Sequence, residues 1–227
     1  APAAMVAAPT AALAVGTRPS LDTQQLYRRN GHRSTVACQN GIVCASQPLA
    51  TMVGIDVLKA GGSCVDAAIA TNAMLGLTEP GSDGIGGDLF AIVWSQQDQR
   101  LFGLNASGRA PYEWNLERAR EKQLERIPRE SPLSWTVPGC VSGWAALNER
   151  FGKLDLARCL EPAISYAEEG FPVSPVIATT QFGYWTAERF PHLAAVYHPE
   201  GKIPRFGDVF KNPFLARTYR QIAEGGA

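Results

Sequence analysis

The stretch that most constrains this chain runs from Ser63 to Ser95. It holds an alanine-packed segment, CVDAAIATNAMLGL, then the glycine-rich GSDGIGGDLF, then the apolar run LFAIVWS. Ser63 can cap a helix over the first part, with Asp66 completing a capping-box variant, and Glu79-Pro80 ends it because proline disfavours a helical residue before it. The small side chains of Ala67, Ala68, Ala70 and Ala73 let that helix lie close against another layer, so it is expected to be buried. Leu89 to Ser95 reads as a strand covered on both faces. The polar turn QQDQ and the run RLFGLN then make a β-hairpin with it. A phosphate cradle needs strand, glycine loop and helix in that order, because the helix N-terminus supplies the anion-binding amides. Here the order is helix, loop, strand, and no Gly-Lys-Ser/Thr is present, so GSDGIGGDLF reads as a corner rather than a nucleotide site.

The flanking sequence extends the pattern. GIVCAS, Gly41 to Ser46, is a short strand candidate, and Ser46 can cap a helix through PLATMVGIDVLKA with Pro48 in its first turn and Gly61-Gly62 at its end. Asn115 can cap LERAREKQLE, whose charges form a solvated face. SGWAALNERFG ends at Gly152, EPAISYAEEG places Pro162 in a first turn and Gly170 at its stop, and NPFLARTYRQIAEGG closes in glycines. The aromatics of PVIATTQFGYWTAERF are read as packing. Strands in the first half with helices outside them make a layered α/β or α+β domain. Residues 1–35 are read as an Ala-rich flexible leader and loop, with the remains of a targeting segment as the alternative.

Charge and composition narrow the function. Lys+Arg and Asp+Glu are both 21, so the formal net charge is zero, which argues against wholesale binding to nucleic acid or an anionic membrane. The one basic cluster, RRNGHR at Arg28 to Arg33, is read as a solvated loop. No apolar run reaches the roughly 18 residues of a membrane span. Five cysteines, an odd number without a CxxC pair, read as mostly buried thiols, with one disulfide and leftover thiols as the alternative, and slightly favour a reducing, cytoplasmic compartment over a periplasmic or secreted one. His32, His192 and His198 have no zinc-ligand spacing, so neither a metal nor a cofactor is expected.

Two stretches hold candidate chemistry. In LNASGRAP, Arg109 sits among Ala106, Ser107, Gly108, Ala110 and Pro111, which are all small or rigid. Such an arginine can meet a carboxylate through two parallel hydrogen bonds, or it can bond loop carbonyls as a structural residue. In VPGCVSGW, Cys140 could be a nucleophile, but no histidine is marked as its base, and a buried thiol is the expected reading. No Gly-x-Ser-x-Gly elbow or Ser/His/Asp set is present, so no catalytic residue is assigned within the chain.

From Ser46 to Trp94 the chain resembles the N-terminal part of gamma-glutamyltranspeptidases and their cephalosporin-acylase-like relatives. LNASGRAP, SWTVPGCVSGWAALNERFGK, LEPAISYAEEGFPVSP and GDVFKNPFLARTYRQIAEGG continue the match in order, so the resemblance spans residues 36–227. It implies an α+β fold, the four-layer αββα sandwich of N-terminal-nucleophile hydrolases, of which this chain would be an incomplete large-subunit segment. It implies a self-cleaving precursor whose small subunit begins with a threonine. That threonine attacks a gamma-glutamyl amide such as glutathione's and passes the acyl group to water or an amino acid. Thr10, Thr17 and the chain's other threonines match no such nucleophile motif. Arg109 would bind the α-carboxylate of the gamma-glutamyl substrate, and the GIGGDLF glycines would be turn and close-packing residues. The alternatives are an acylase of the same fold acting on glutaryl or cephalosporin-type amides, and a catalytically silent amino-acid-binding homologue.

Overall fold

The structure, a computed structural model, describes residues 4–7, 36–128 and 131–226. Its centre is α2, Cys64–Thr78, whose buried positions include Val65, Ala67, Ile69, Ala70, Ala73, Met74 and Leu77. The capping box forms as its sequence dictates: Asp66 N donates to Ser63 Oγ (3.1 Å) and Ser63 N to Asp66 Oδ2 (2.8 Å). Helix α1, Pro48–Lys59, precedes it and lies against it. The cap of α1 is Gln47 rather than Ser46: Gln47 Oε1 accepts from Leu49 N and Ala50 N, while Ser46 Oγ donates to Glu79 Oε2 at 2.7 Å. The expected strand at Gly41–Ser46 does not form. Val43 packs on α1 opposite Gly54, and Leu58 reaches Gly41, so the segment spends its apolar residues on the helices instead of on a ladder.

The hairpin is present. Strands β2, Leu89–Ser95, and β3, Arg100–Ala106, pair antiparallel from Leu89↔Ala106 to Ser95↔Arg100. Strand β1, Ala4–Ala7, pairs antiparallel with the other edge of β3, giving the order β1-β3-β2. Those four residues therefore depart from the leader reading. The remainder of residues 1–35, with RRNGHR and His32, lies outside the described residues.

One sheet face carries Phe102, Leu104 and Ala106, all buried, beside the partly buried Leu89, Ala91 and Val93. Helix α4, Cys140–Phe151, packs on this face, and the Phe102 and Phe151 rings sit 5.3 Å apart. The opposite face exposes Phe90 (66%), Ile92 (82%) and Trp94 (47%). This corrects the expectation of a strand covered twice. A nearly continuous apolar run conceals which of its faces this chain covers itself.

The remaining elements pack around α2. Helix α5, Leu156–Glu169, starts at an Asp155 cap whose Oδ1 accepts from Arg158 N at 2.7 Å, so Pro162 lies inside the helix and not in its first turn. Helix α7, Pro213–Gly225, lies on α5 and sends Tyr219 OH to the Ala73 carbonyl of α2 (2.9 Å). Between them come a π-turn at Ala178–Phe182, the short α6, Pro191–Tyr197, and a two-residue pairing of β4, Phe171–Pro172, with β5, Val209–Phe210. The aromatics there do pack: Phe182 lies within about 6 Å of Trp185, Tyr197 and Phe210. Asn115 caps α3, but the helix is only Leu116–Glu121.

Candidate functional site

Two loops meet at the end of the hairpin. The first is Ser107–Pro111, leaving β3, and the second is Trp135–Gly139, entering α4. Val137 N donates to the Arg109 carbonyl at 2.9 Å. Their contact is so close that two glycines are obligatory. Gly108 has φ +76°, and a Cβ there would collide with the Val137 carbonyl; a Cβ on Gly139 would collide with that of Ala106. On the far side, Gly139 N and Cys140 N both donate to Gly87 O at 3.1 Å, and Thr136 Oγ1 donates to Asp88 Oδ1 at 3.0 Å. The strap Trp135–Gly139 thus ties the end of the GSDGIGGDLF loop to the backbone that carries Arg109.

Beneath the strap is a polar cavity of about 400 Å³ lined by Asn72, Asp83, Gly87, Asp88, Trp135 and Thr136, among others. Asn72 organises its floor: Oδ1 accepts from Trp144 Nε1 (2.9 Å) and Nδ2 donates to Asp83 Oδ1 (3.3 Å). Burial, and then the charge of Glu79, pushes the Asp83 carboxyl above its ordinary value. The loop entrance is held by Gln181, whose Oε1 accepts from Gly81 N at 2.9 Å. Of the GIGGDLF glycines, Gly84 and Gly86 have open space where a Cβ would go and Gly87 only an ordinary contact, while Gly87 N donates to Gly84 O at 3.3 Å, so they turn the chain as expected but do not pack closely. The close approaches belong to Gly81, against Gln181, and to Gly108 and Gly139.

Arg109 does not line this cavity. It is half-buried, and its Nε is buried with no hydrogen-bond partner among the described residues. Its Cζ lies 3.7 Å from the centroid of the Tyr112 ring. No described carbonyl accepts from that Nε.

Cys140 is buried, as expected for a packing thiol. Its Sγ lies 3.8 Å from Asn72 Oδ1, and burial, with Asp83 second, pushes the thiol up to about 11. His198 is buried, with its Nε2 at 2.8 Å from the Phe182 carbonyl. Among the described residues no group of three or more His, Cys, Asp or Glu could hold a metal, and no helix is long and apolar enough to cross a membrane. Sequence reasoning missed Tyr112, Gly139 and Asn72. Tyr112 could have been noticed as the first aromatic after SGRAP, whereas Asn72 carries no local signal.

The profile of the gamma-glutamyltranspeptidase family matches residues 50–227. The glutathione hydrolase-like YwrD proenzyme of Bacillus subtilis is 35% identical over 187 residues, covering 82% of this chain and 35% of its own length. A gamma-glutamyltranspeptidase crystal structure from Helicobacter pylori superposes with TM-score 0.78 at 27% identity, over 85% of this chain and 56% of that one. The cephalosporin acylase of Bacillus halodurans gives TM-score 0.72 at 39% identity, over 87% of this chain and 39% of its own. The architecture is the α+β one of these enzymes, and the chain spans about a third of the length of the curated relatives it matches. It belongs to the gamma-glutamyltranspeptidase family.

Proposed function

We propose that the complete protein is a self-processing gamma-glutamyltransferase or glutathione hydrolase, and that this chain forms part of its large subunit. In this reading a threonine at the N-terminus of a small subunit attacks the gamma-glutamyl carbonyl, with its own α-amine as base. The amine product leaves, and water or an amino acid takes the acyl group from the threonine ester. This chain contributes recognition: Arg109 holds the substrate α-carboxylate through two parallel hydrogen bonds.

The observation that carries the reading is the Arg109 Nε, buried with no hydrogen-bond partner among the described residues. A guanidinium whose Nε is buried without an acceptor is costly, and an incoming carboxylate removes that cost. The exposed row of Phe90, Ile92 and Trp94 supports the structural half of the proposal, since a second sheet in the αββα arrangement would cover it. The name of the Bacillus subtilis relative, a proenzyme, supports processing into two subunits.

A second reading, an acylase taking glutaryl-type side chains, draws on the likeness to the cephalosporin acylase. Arg109 would suit it equally, because a glutaryl group also ends in a carboxylate. The α-amino group separates the two. Purified, processed complete protein is expected to turn over gamma-glutamyl anilide much faster than glutaryl anilide, with intact mass revealing a subunit that begins with threonine. Preference for the glutaryl substrate would install the acylase reading. Turnover of neither substrate, with no threonine-initiated subunit, would leave the silent binder.

A further inference from the structure

We propose that Tyr112 is a positioning residue for Arg109: its ring fixes the plane of the guanidinium and so sets the preference for ligands that carry an α-carboxylate. This rests on the Arg109 reading above and goes one step beyond it. Tyr112 is 84% exposed, so hydrophobic burial is not what places it. Its ring nonetheless lies 3.7 Å under the Arg109 Cζ, a separation at which the cation and the ring face attract. The chain is built to bring it there. Pro111 fixes its own φ, and Trp114 N donates back to the Pro111 carbonyl at 2.9 Å, a turn that folds Tyr112 toward Arg109.

The consequence is directional. The donors of a guanidinium lie in its plane, and one face of that plane is occupied by the ring. An anion therefore meets Arg109 along its edge, where the fork matches two carboxylate oxygens. Arginine otherwise loses considerable rotamer freedom on binding, and holding it flat beforehand reduces that loss. The ring face does this work rather than the hydroxyl, so phenylalanine should serve in its place.

The test is equilibrium binding by calorimetry to the complete, processed protein, with two probes that hold no amide for it to cleave: L-glutamate and 4-aminobutanoate, which keeps the amine and the side-chain carboxylate but lacks the α-carboxylate. Wild type should bind L-glutamate at least about tenfold more tightly, as one charge-assisted pair implies. Tyr112→Leu should weaken L-glutamate by roughly 3- to 30-fold, Tyr112→Phe by less than about twofold, and neither should move 4-aminobutanoate. Arg109→Ala should erase the difference between the probes. If Arg109→Ala erases it and Tyr112→Leu leaves L-glutamate unchanged, the Tyr112 proposal falls and the Arg109 reading stands. Equal weakening of both probes by Tyr112→Leu would also overturn the proposal, reducing Tyr112 to loop support. No discrimination by wild type would remove both.

Discussion

The Val137 carbonyl occupies the space that a side chain on Gly108 would need, and Val137 N closes the same contact by donating to Arg109 O at 2.9 Å. Arg109 is therefore fixed at its backbone before any ligand arrives. Gly108→Ala forces a residue with a Cβ into φ +76° and into a neighbouring backbone at once. The strained conformation alone costs about 1–3 kcal/mol. The collision adds to it, so a urea titration should show a loss of at least that size. Gly84→Ala, facing open space, should change stability by less than about 1 kcal/mol.

Asp66 contributes to stability against acid. Its carboxylate is fully buried and accepts from Ser63 N, Lys153 N, Leu154 N and Asn148 Nδ2, tying α2 to the turn after α4. Burial acts to raise its pKa, but those hydrogen bonds prevail and hold it below its ordinary 3.8. A depressed folded-state value stabilises the fold fully above the unfolded pKa, and that stability is lost as pH falls through the folded value. Asp66→Asn should cost about 2–4 kcal/mol at pH 7 and clearly less below pH 3, measured as urea midpoints at both pH values. An equal cost at the two would contradict this.

Ile92→Lys tests the uncovered sheet face. At 82% exposure the change should barely alter the thermal midpoint of residues 1–227 by themselves. In the complete protein a lysine facing a second sheet would be buried without a partner, which is strongly unfavourable. Self-processing or subunit association should then fail, visible by gel and size-exclusion chromatography. Normal assembly would mean that nothing apolar covers Ile92.

The cysteines divide by burial, and the expectation that most are buried is corrected: three of the five are exposed. Cys38, Cys44 and Cys64 are exposed and free, whereas Cys140 and Cys159 are buried, with thiols pushed up to about 11 and about 12. An aromatic disulfide reagent at pH 8 should titrate three thiols in the native chain and five in guanidinium. Cys140→Ala should leave turnover within a few-fold, apart from a packing cost.

Much of this was legible in the sequence because the signals are local. Ser63 and Asp66 bond each other across three residues, QQDQ joins strands that pair directly, and the aromatics near Phe182 pack on one another. What stayed hidden depends on distant chain. Phe90 alternates with Ala91, yet an apolar residue facing out looks the same on paper as one facing in. Pro162 looked like a first-turn proline until Asp155 captured the cap seven residues earlier. Arg109 could be singled out from its small neighbours, but its missing acceptor and the ring of Tyr112 required coordinates.

The role of Arg109 is tested most directly by paired kinetics on the complete, processed protein, comparing gamma-glutamyl anilide with 4-aminobutyryl anilide, which lacks the α-carboxylate. A hydrogen bond to a charged group contributes about 1.5–3 kcal/mol, and stranding the partner charge costs more. Arg109→Ala should therefore lower kcat/KM for the gamma-glutamyl substrate by roughly 10²–10³. Arg109→Lys keeps the charge without the planar fork and should recover only part of the loss. The 4-aminobutyryl substrate should change far less in either variant. Equal losses on both substrates, in variants that fold and self-process normally, would contradict a carboxylate-binding Arg109 and return it to a role in supporting its loop.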